Sequence, residues 1–204
     1  MRKIIVIQHC QSEHHINNMS GGWTDTPLTE LGKNQAERIG LKLKRELGEE
    51  SYTIYSSDLM RARQTADIVG NYLNLTVIED VNLREINTGI AAGKTKDWAR
   101  EHRNPKPSNE FDLDYQEFKD GETWRQFYIR VCEGMKRICD LDKGNLIVVT
   151  HGCTLSYIIA WWMNFELHML GKAFFSAKPG SISVLQQNNY KQNVLLLLND
   201  RSHL

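Results

Sequence analysis

The sequence lacks the features of membrane-spanning and nucleic-acid-binding chains. No apolar run approaches the roughly 20 residues that a transmembrane helix needs. The 25 basic side chains balance 25 acidic ones, so the formal net charge is +0. A chain without excess positive charge has no general attraction to nucleic-acid phosphates or to an anionic membrane surface. We therefore expect neither a nucleic acid nor a membrane as a partner.

Cysteine is scarce, and its spacing argues against disulfides. The four cysteines form no CxxC pair, and Cys132 and Cys139 lie seven residues apart in a helical pattern. That spacing separates them by about 10 Å along the helix axis, too far for a disulfide, so a reducing compartment is indicated. The apolar run that follows Arg2 and Lys3 is too short for a signal peptide. The sequence therefore predicts a cytoplasmic protein.

What is present suits one globular domain. A length of 204 residues with 41% hydrophobic residues fits a single domain that buries a core, so we expect residues 1–204 to form one unit. Residues 87–121 differ from the rest, because they contain two prolines, scattered charges and little periodicity. We predict that this segment leaves the core as a partly helical lid or insertion.

Strand and helix patterns alternate along the chain. Short β-branched runs alternate with apolar residues at helical spacing, such as Ala36, Ile39 and Leu43 after the candidate N-cap Thr29. This alternation predicts an α/β fold, a three-layer sandwich in which helices flank a mostly parallel central sheet. The predicted strands are 3–7, 52–55, 75–78, 145–150, 181–187 and 194–198, the last two as a hairpin, and the predicted helices are 29–47, 58–73 with Asp58 as N-cap, 124–138 and 155–162.

Polar side chains follow three of the predicted strands. His9 comes directly after the first, Ser56 and Ser57 follow the second and lead to Arg61, and His151 follows strand 145–150. Because sheets of this class bind ligands beyond the carboxyl ends of their strands, these groups are expected to converge. Two histidines can supply a nucleophile and a charge stabiliser for phosphoryl transfer, although a lone histidine there is more often structural.

Two further charged residues have both a functional and a structural interpretation. Arg61 lies near the start of its predicted helix, where its side chain can reach a bound anion. The alternative is that Arg61 lies on a solvent-exposed face of that helix. Arg63 is two residues further on and therefore faces another direction. Glu85 follows a short predicted strand and can protonate a leaving alkoxide, or it can be an exposed glutamate paired with Arg84.

Potential metal ligands also occur near these positions. Their spacing matches neither two histidines four apart on a helix nor a CxxC knuckle, so we expect no metal. These residues are His9, Cys10, His14, His15, His151 and Cys153.

Ordered motifs carry a resemblance to a known family. They lie at residues 8–12 (QHCQS), 22–29 (GWTDTPLT), 57–66 (SDLMRARQTA), 83–89 (LREINTG), 120–123 (DGET) and 150–152 (THG). In this order they resemble the motifs of the histidine phosphatase superfamily, the phosphoglycerate-mutase-like proteins. The resemblance covers nearly the whole chain.

The resemblance implies a role for each matching residue. His9 would be the nucleophile that accepts the phosphoryl group, Arg61 and His151 would hold its oxygens, and Glu85 would donate the proton to the leaving group. The other ring nitrogen of His9 should then be held by a nearby carbonyl. Further phosphate contacts are expected from Gln8, Ser12 and His15. The implied chemistry uses no metal and no cofactor.

The chain departs from the family pattern beside the nucleophile. Gln8 replaces an arginine, Cys10 replaces a glycine, and His15 stands where the family often has asparagine. Gln8 brings no charge, and charge-assisted hydrogen bonds are roughly twice as strong as neutral ones, so a reduced activity is expected. Protonated His14 and His15 could restore positive charge.

These features favour a phosphatase that hydrolyses a small phosphomonoester through a phosphohistidine on His9. The expected partners are such a substrate or inorganic phosphate. A degenerate member that binds a phosphorylated ligand or protein without turnover is the alternative from another class, and a phosphoglycerate mutase is a third. A homodimer through Trp161-Trp162-Met163 and Phe174-Phe175 stays open, although burial in the core is the more common state of such residues.

Overall fold

A computed structural model describes residues 2–204. Six strands form one sheet in the order β3-β2-β4-β1-β5-β6. The pairs β1–β4, β2–β4 and β2–β3 are parallel, and β5 and β6 complete the sheet as an antiparallel hairpin beside β1. The strands are β1 (Lys3–Gln8), β2 (Tyr52–Ser56), β3 (Val77–Glu79), β4 (Asn145–Thr150), β5 (Ile182–Gln187) and β6 (Asn193–Asp200).

Helices cover both faces of the sheet, which confirms the predicted α/β sandwich. The helices are α1 (Glu13–Ile16), α2 (Glu30–Glu46), α3 (Met60–Leu73), α4 (Lys96–Glu101), α5 (Trp124–Leu141) and α6 (Gly152–Trp162). Because successive strand residues point to opposite faces, Ile4 and Val6 pack with α5 and α6 on one face, whereas Ile5 and Ile7 pack with α2 and α3 on the other.

Threonine side chains cap three of the six α-helices in residues 2–204, those that follow Thr29, Thr95 and Thr123. The Thr29 hydroxyl accepts a hydrogen bond from the Gly32 N–H at 3.0 Å and caps α2, as predicted. The expectation for Asp58 is wrong, because Leu59 is the N-cap of α3. Asp58 instead forms a bidentate ion pair with Arg84 (2.7 and 2.5 Å). The ion pair with Arg84 engages both carboxylate oxygens of Asp58, and Asp58 therefore does not serve as the N-cap, although aspartate favours that position.

The remaining differences are small. The third strand begins at Val77 rather than at residue 75, and α1 is absent from the sequence-based prediction. In the segment 87–121, α4 and a short 3-10 helix (Gly89–Ala91) pack around a separate small cluster of Ala91, Ala99 and Phe118. The single-domain and lid assignments stay predictions.

The aromatic residues considered for a dimer divide between core and surface. Trp162 is buried, whereas Met163 and Phe174 are exposed. Among residues 2–204, no helix is long and apolar enough to cross a membrane.

Candidate active site

The carboxyl ends of three parallel strands meet, as the sequence predicts. The backbone N–H of His9 donates to the carbonyl of Thr150 (2.8 Å), and that of Ser57 donates to the carbonyl of Val149 (3.0 Å). A cleft of about 180 Å³ opens at this edge. It is lined by Gln8, His9, His14, His15, Gly21, Gly22, Arg61, Glu85, Gly152, Cys153, Phe174 and Ala177.

The His9 imidazole is held in a defined tautomer. Its Nδ1 lies 2.8 Å from the carbonyl oxygen of Cys10, an acceptor, so the ring proton is on Nδ1. The lone pair is therefore on Nε2, which accepts a hydrogen bond from Arg61 Nε at 3.1 Å. Burial and the positive charge of Arg61 hold the pKa of His9 well below its usual range. His9 is thus a neutral imidazole whose Nδ1 is held by a carbonyl, as the resemblance implies, while its Nε2 accepts from Arg61; its role as nucleophile stays a prediction.

Arg61 is a fixed cation, although it is almost completely buried. Its Nη groups donate to the backbone carbonyls of Thr24 (2.6 Å) and Gly22 (2.8 Å). Both carbonyls belong to the motif 22–29, so this motif contributes to the site by holding the Arg61 guanidinium in place. Burial lowers the pKa of Arg61 to about 10, so the guanidinium stays charged at neutral pH. Arg63 points away, as predicted, and pairs with Asp67 and Glu79.

His151 lies behind His9 and does not line the cleft. The two ring centroids are 5.1 Å apart. His151 Nε2 lies 2.8 Å from the Ser57 hydroxyl, and its Nδ1 has no hydrogen-bond partner among residues 2–204. Burial, followed by the charge of Arg61, holds the pKa of His151 well below its usual range. Its contact with a phosphoryl oxygen therefore stays a prediction.

Glu85 faces the first turn of α6. Its Oε2 accepts a hydrogen bond from the backbone N–H of Cys153 (2.9 Å), and its Oε1 accepts from Ile86 N (3.0 Å) and the Thr154 hydroxyl (3.3 Å). The expected alternative, a pair with Arg84, is wrong, because Arg84 binds Asp58. Glu85 is therefore a positioned carboxyl group at the rim of the cleft.

A second arginine holds the backbone that carries Glu85. Arg130, on α5, donates to the carbonyls of Asn82 (3.0 Å), Arg84 (3.1 Å) and Glu85 (3.0 Å). Its other contacts are two 2.7 Å hydrogen bonds to the carboxylate of Glu122. The sequence analysis did not identify Arg130. Its partner Glu122 belongs to the motif 120–123, so the ion pair with Arg130 explains what that motif does in the fold.

The residues of α1 add two neutral imidazoles to the cleft. The backbone N–H of Ser12 donates to His15 Nδ1 at 3.1 Å, so His15 carries its proton on Nε2. The Ser12 hydroxyl lies 2.8 Å from His14 Nδ1 and is itself fully buried behind the cleft. Burial, His15 and the cations Arg61 and Lys96 lower the pKa of His14 to about 3. Burial and the same two cations lower the pKa of His15 to about 4.

These pKa values correct one expectation. Protonated His14 and His15 were candidates for the charge that Gln8 lacks, but both are neutral at pH 7 in the unliganded site. The hydrogen bond from Ser12 N–H occupies the lone pair that protonation of His15 would need. Cys10 is fully buried near Thr65, and burial raises the pKa of its thiol to about 12.

The buried histidines predict a loss of stability in mild acid. Their folded-state pKa values lie below the ordinary 6.5, so the unfolded chain binds more protons as the pH falls from about 6.5 toward 4. Each histidine that stays neutral contributes a slope of up to about 1.4 kcal/mol per pH unit. We expect the free energy of unfolding, measured by denaturant titration, to decrease from pH 7 to pH 5. His14→Gln should reduce this slope, and a flat profile in wild type would contradict the assignment.

No metal centre is evident in the geometry. Among residues 2–204, no three His, Cys, Asp or Glu side chains are arranged to hold a metal ion. The cysteine thiol that lines the cleft, Cys153, is partly buried, and desolvation together with the adjacent Glu85 holds its pKa well above the usual range.

Comparisons with known proteins agree with the motifs. The family model of the histidine phosphatase superfamily (branch 1) matches residues 4–201. Phosphoglycerate mutase-like protein 4 of Arabidopsis thaliana is 32% identical in an alignment of 156 residues that covers 74% of this chain and 66% of that protein. A 2,3-bisphosphoglycerate-dependent phosphoglycerate mutase of Nitrobacter hamburgensis is 40% identical in an alignment of 102 residues that covers 48% of this chain and 49% of that protein. The chain thus spans about half to two thirds of the length of these curated relatives.

A solved structure supports the same fold. The alpha-ribazole phosphatase from Shigella flexneri superimposes with a TM-score of 0.80 at 22% sequence identity, covering 98% of this chain and 96% of that chain. The match of the family model confirms the resemblance read from the motifs. From the match over residues 4–201 we conclude that the chain belongs to the histidine phosphatase superfamily.

Proposed function

We propose that the protein is a phosphatase that hydrolyses a small phosphomonoester through a phosphohistidine on His9. The observation that carries the proposal is the His9 tautomer, with Nδ1 bound to the Cys10 carbonyl and Nε2 beside Arg61 in the cleft. Membership of a phosphatase superfamily and the shared fold with a solved phosphatase support it. The identity of the alcohol part of the ester is left open.

The first step transfers the phosphoryl group to the protein. A phosphoryl oxygen takes over the hydrogen bond that Arg61 Nε donates to His9 Nε2, which frees the Nε2 lone pair. That lone pair attacks phosphorus while the bond to the ester oxygen breaks, and Glu85, in its protonated form, gives its proton to the leaving alkoxide. Arg61 offsets the charge on the phosphoryl oxygens as they move. The Cys10 carbonyl accepts from Nδ1–H and stabilises the positive charge that develops on the ring.

The second step releases phosphate. A water molecule attacks the phosphohistidine, Glu85 takes its proton, and the bond between phosphorus and Nε2 breaks to restore neutral His9. His9, Arg61 and Glu85 are each held in place by hydrogen bonds to the backbone. In this mechanism they lower the barrier mainly by positioning the phosphoryl group and by electrostatic stabilisation. No step needs a metal ion or a cofactor.

One observation bears on the mutase alternative. A mutase acting on a phosphoglycerate needs cations for the substrate carboxylate, and the segment 87–121 offers Arg100, Arg103 and Lys106. Arg100 pairs with Asp97 (3.0 Å) and Arg103 pairs with Glu117 (2.5 Å), so two of these three cations already have an acidic partner. We therefore place hydrolysis ahead of transfer, with the phosphoglycerate-mutase relatives as the reason to assay both.

The proposal predicts phosphatase activity that survives metal removal. The purified protein should hydrolyse an aryl phosphate, and dialysis against a chelator should leave kcat unchanged within about twofold, because Arg61 and not a metal offsets the charge. Conversion of a phosphoglycerate is measured in parallel. Loss of activity with loss of a stoichiometric metal would overturn the metal-independent mechanism. Tight binding of phosphate without hydrolysis of any ester would favour the non-catalytic binding protein.

A further inference from the structure

The loop of residues 22–24 joins Arg61 to the segment that carries Glu85. Its carbonyl groups at Gly22 and Thr24 accept hydrogen bonds from the Nη groups of Arg61, at 2.8 and 2.6 Å. Between these two carbonyls, the indole Nε1–H of Trp23 donates to the backbone carbonyl of Glu85 at 2.8 Å. Three consecutive residues therefore connect the cation of the cleft with the carboxyl group at its rim.

Further contacts hold the loop and the Trp23 ring in place. The guanidinium carbon of Arg84 lies 4.6 Å from the centre of the Trp23 ring, which is an attractive cation–π contact. Arg84 in turn pairs with Asp58, just before α3. Gly22 has a φ of +60°, and a Cβ there would stand 2.8 Å from the carbonyl oxygen of Ile86. The loop backbone therefore packs directly against the chain beyond the acid, and the indole is held by its face as well as by its N–H.

The Glu85 carbonyl has a second donor, which leads in another direction. Arg130 Nη2 donates to it at 3.0 Å, and Arg130 belongs to α5 and pairs with Glu122. A carbonyl oxygen has two lone pairs, so it can accept from both Trp23 and Arg130. Loss of the indole N–H would thus leave the carbonyl paired. It would remove the connection to Arg61 and keep the connection to α5.

We propose that Trp23 is a positioning residue that sets the distance between the Glu85 carboxyl group and the phosphoryl group at Arg61. The inference rests on the proposed function, which makes Glu85 the proton donor. Proton transfer to the leaving oxygen needs a heavy-atom distance of about 2.6–3.2 Å. A misplacement of about 1 Å can lower a rate by about 10²-fold. Trp23 acts on this distance through the backbone of Glu85.

Trp23→Phe tests the proposal, because it removes the indole N–H and keeps an aromatic ring beneath Arg84. The value of kcat/KM reports the transfer to His9. For an alkyl phosphate, whose alkoxide must be protonated as it leaves, kcat/KM should fall by about tenfold or more. For an aryl phosphate with a good leaving group, it should fall by less than about threefold. The Kd of inorganic phosphate, measured by calorimetry, should match wild type within about twofold, because Arg61 keeps both loop carbonyls.

A second tryptophan provides the matched control. Trp161, near the C-terminal end of α6, is half-buried like Trp23 and packs against the core. Trp161→Phe makes the same change of side chain and should leave the ratio of the two kcat/KM values as in wild type. An equal decrease for both esters in Trp23→Phe would show that Trp23 supports only the fold. That result, or unchanged values for both esters, would contradict the proposal.

The indole N–H of Trp23 gives a test on the wild-type protein, which decides the question should Trp23→Phe fail to fold. In a protein labelled with ¹⁵N at its five tryptophans, the Trp23 resonance is assigned from variants of the other four. Phosphate draws Arg61 Nε away from His9, and the loop that Arg61 holds responds. Titration with inorganic phosphate should therefore shift the Trp23 resonance and leave that of Trp161 in place. An unchanged Trp23 resonance at saturation would overturn the proposal.

The outcomes separate this inference from the proposed function. If wild type hydrolyses both esters and Trp23→Phe has the same ratio of kcat/KM values, only the role of Trp23 is wrong. If wild type hydrolyses neither ester, the phosphatase and the positioning role are wrong together.

Discussion

Replacement of His9 by alanine is expected to lower kcat for an aryl phosphate by about 10⁴-fold or more, because the covalent intermediate can no longer form. The protein should stay folded. Its neighbour Arg61 keeps the contacts to the carbonyls of Thr24 and Gly22 that hold the guanidinium in place. Wild type quenched during turnover in base should carry one phosphoryl group on His9 by mass spectrometry, and His9→Ala should carry none.

Two controls give this result its meaning. His168→Ala removes an exposed histidine that pairs with Glu166 at the surface, and its activity should equal that of wild type. His9→Asn fills more of the buried space than alanine and should be equally inactive. Substantial phosphatase activity in either His9 variant would remove the phosphohistidine mechanism.

Glu85→Gln is expected to act through the leaving group. For an alkyl phosphate, whose alkoxide must be protonated as it leaves, kcat should fall by about 10²–10⁴-fold. For an aryl phosphate with a good leaving group, the first step needs no proton, so its kcat should fall far less. Glutamine retains an oxygen that can accept from the Cys153 N–H, which preserves the contact to α6.

The ratio of the two substrates is the decisive measurement. Phosphohistidine should accumulate in Glu85→Gln during aryl phosphate turnover, because the second step loses its base. Glu133→Gln, at an exposed position on α5, is the matched control. An equal decrease for both esters would show that Glu85 serves to shape the cleft rather than to donate a proton.

The fold follows closely from local patterns in the chain. β1 and β4 were predicted because their six-residue runs are rich in β-branched Ile and Val and too short for a typical helix. The N-cap of α3 was not predicted correctly, because it depends on the pairing of Asp58 with Arg84, which lies 26 positions further along the chain. The short helix α1 has only four residues, which is below the length at which periodicity gives a signal.

The site shows the same division between local and distant information. Motifs and strand ends selected His9, Arg61 and Glu85, and these three side chains line one cleft; their catalytic roles stay predictions. The sequence could not show that Ser12 and His151 lie behind the cleft, or that Arg130 holds the backbone of Glu85. Those placements depend on side chains from different elements that meet only after folding.

The sequence by itself determined the family, the α/β architecture and the convergence of strand ends, because each is encoded in ordered motifs and in the alternation of strand and helix. It also determined the loss of a cation at Gln8. Only the tertiary structure decided what that loss means. Burial and Arg61 leave the histidines neutral, the Ser12 N–H occupies Nδ1 of His15, and the side-chain amide oxygen of Gln8 has no hydrogen-bond partner within residues 2–204. These properties arise from desolvation and from contacts between distant segments, and no local pattern in the sequence encodes either.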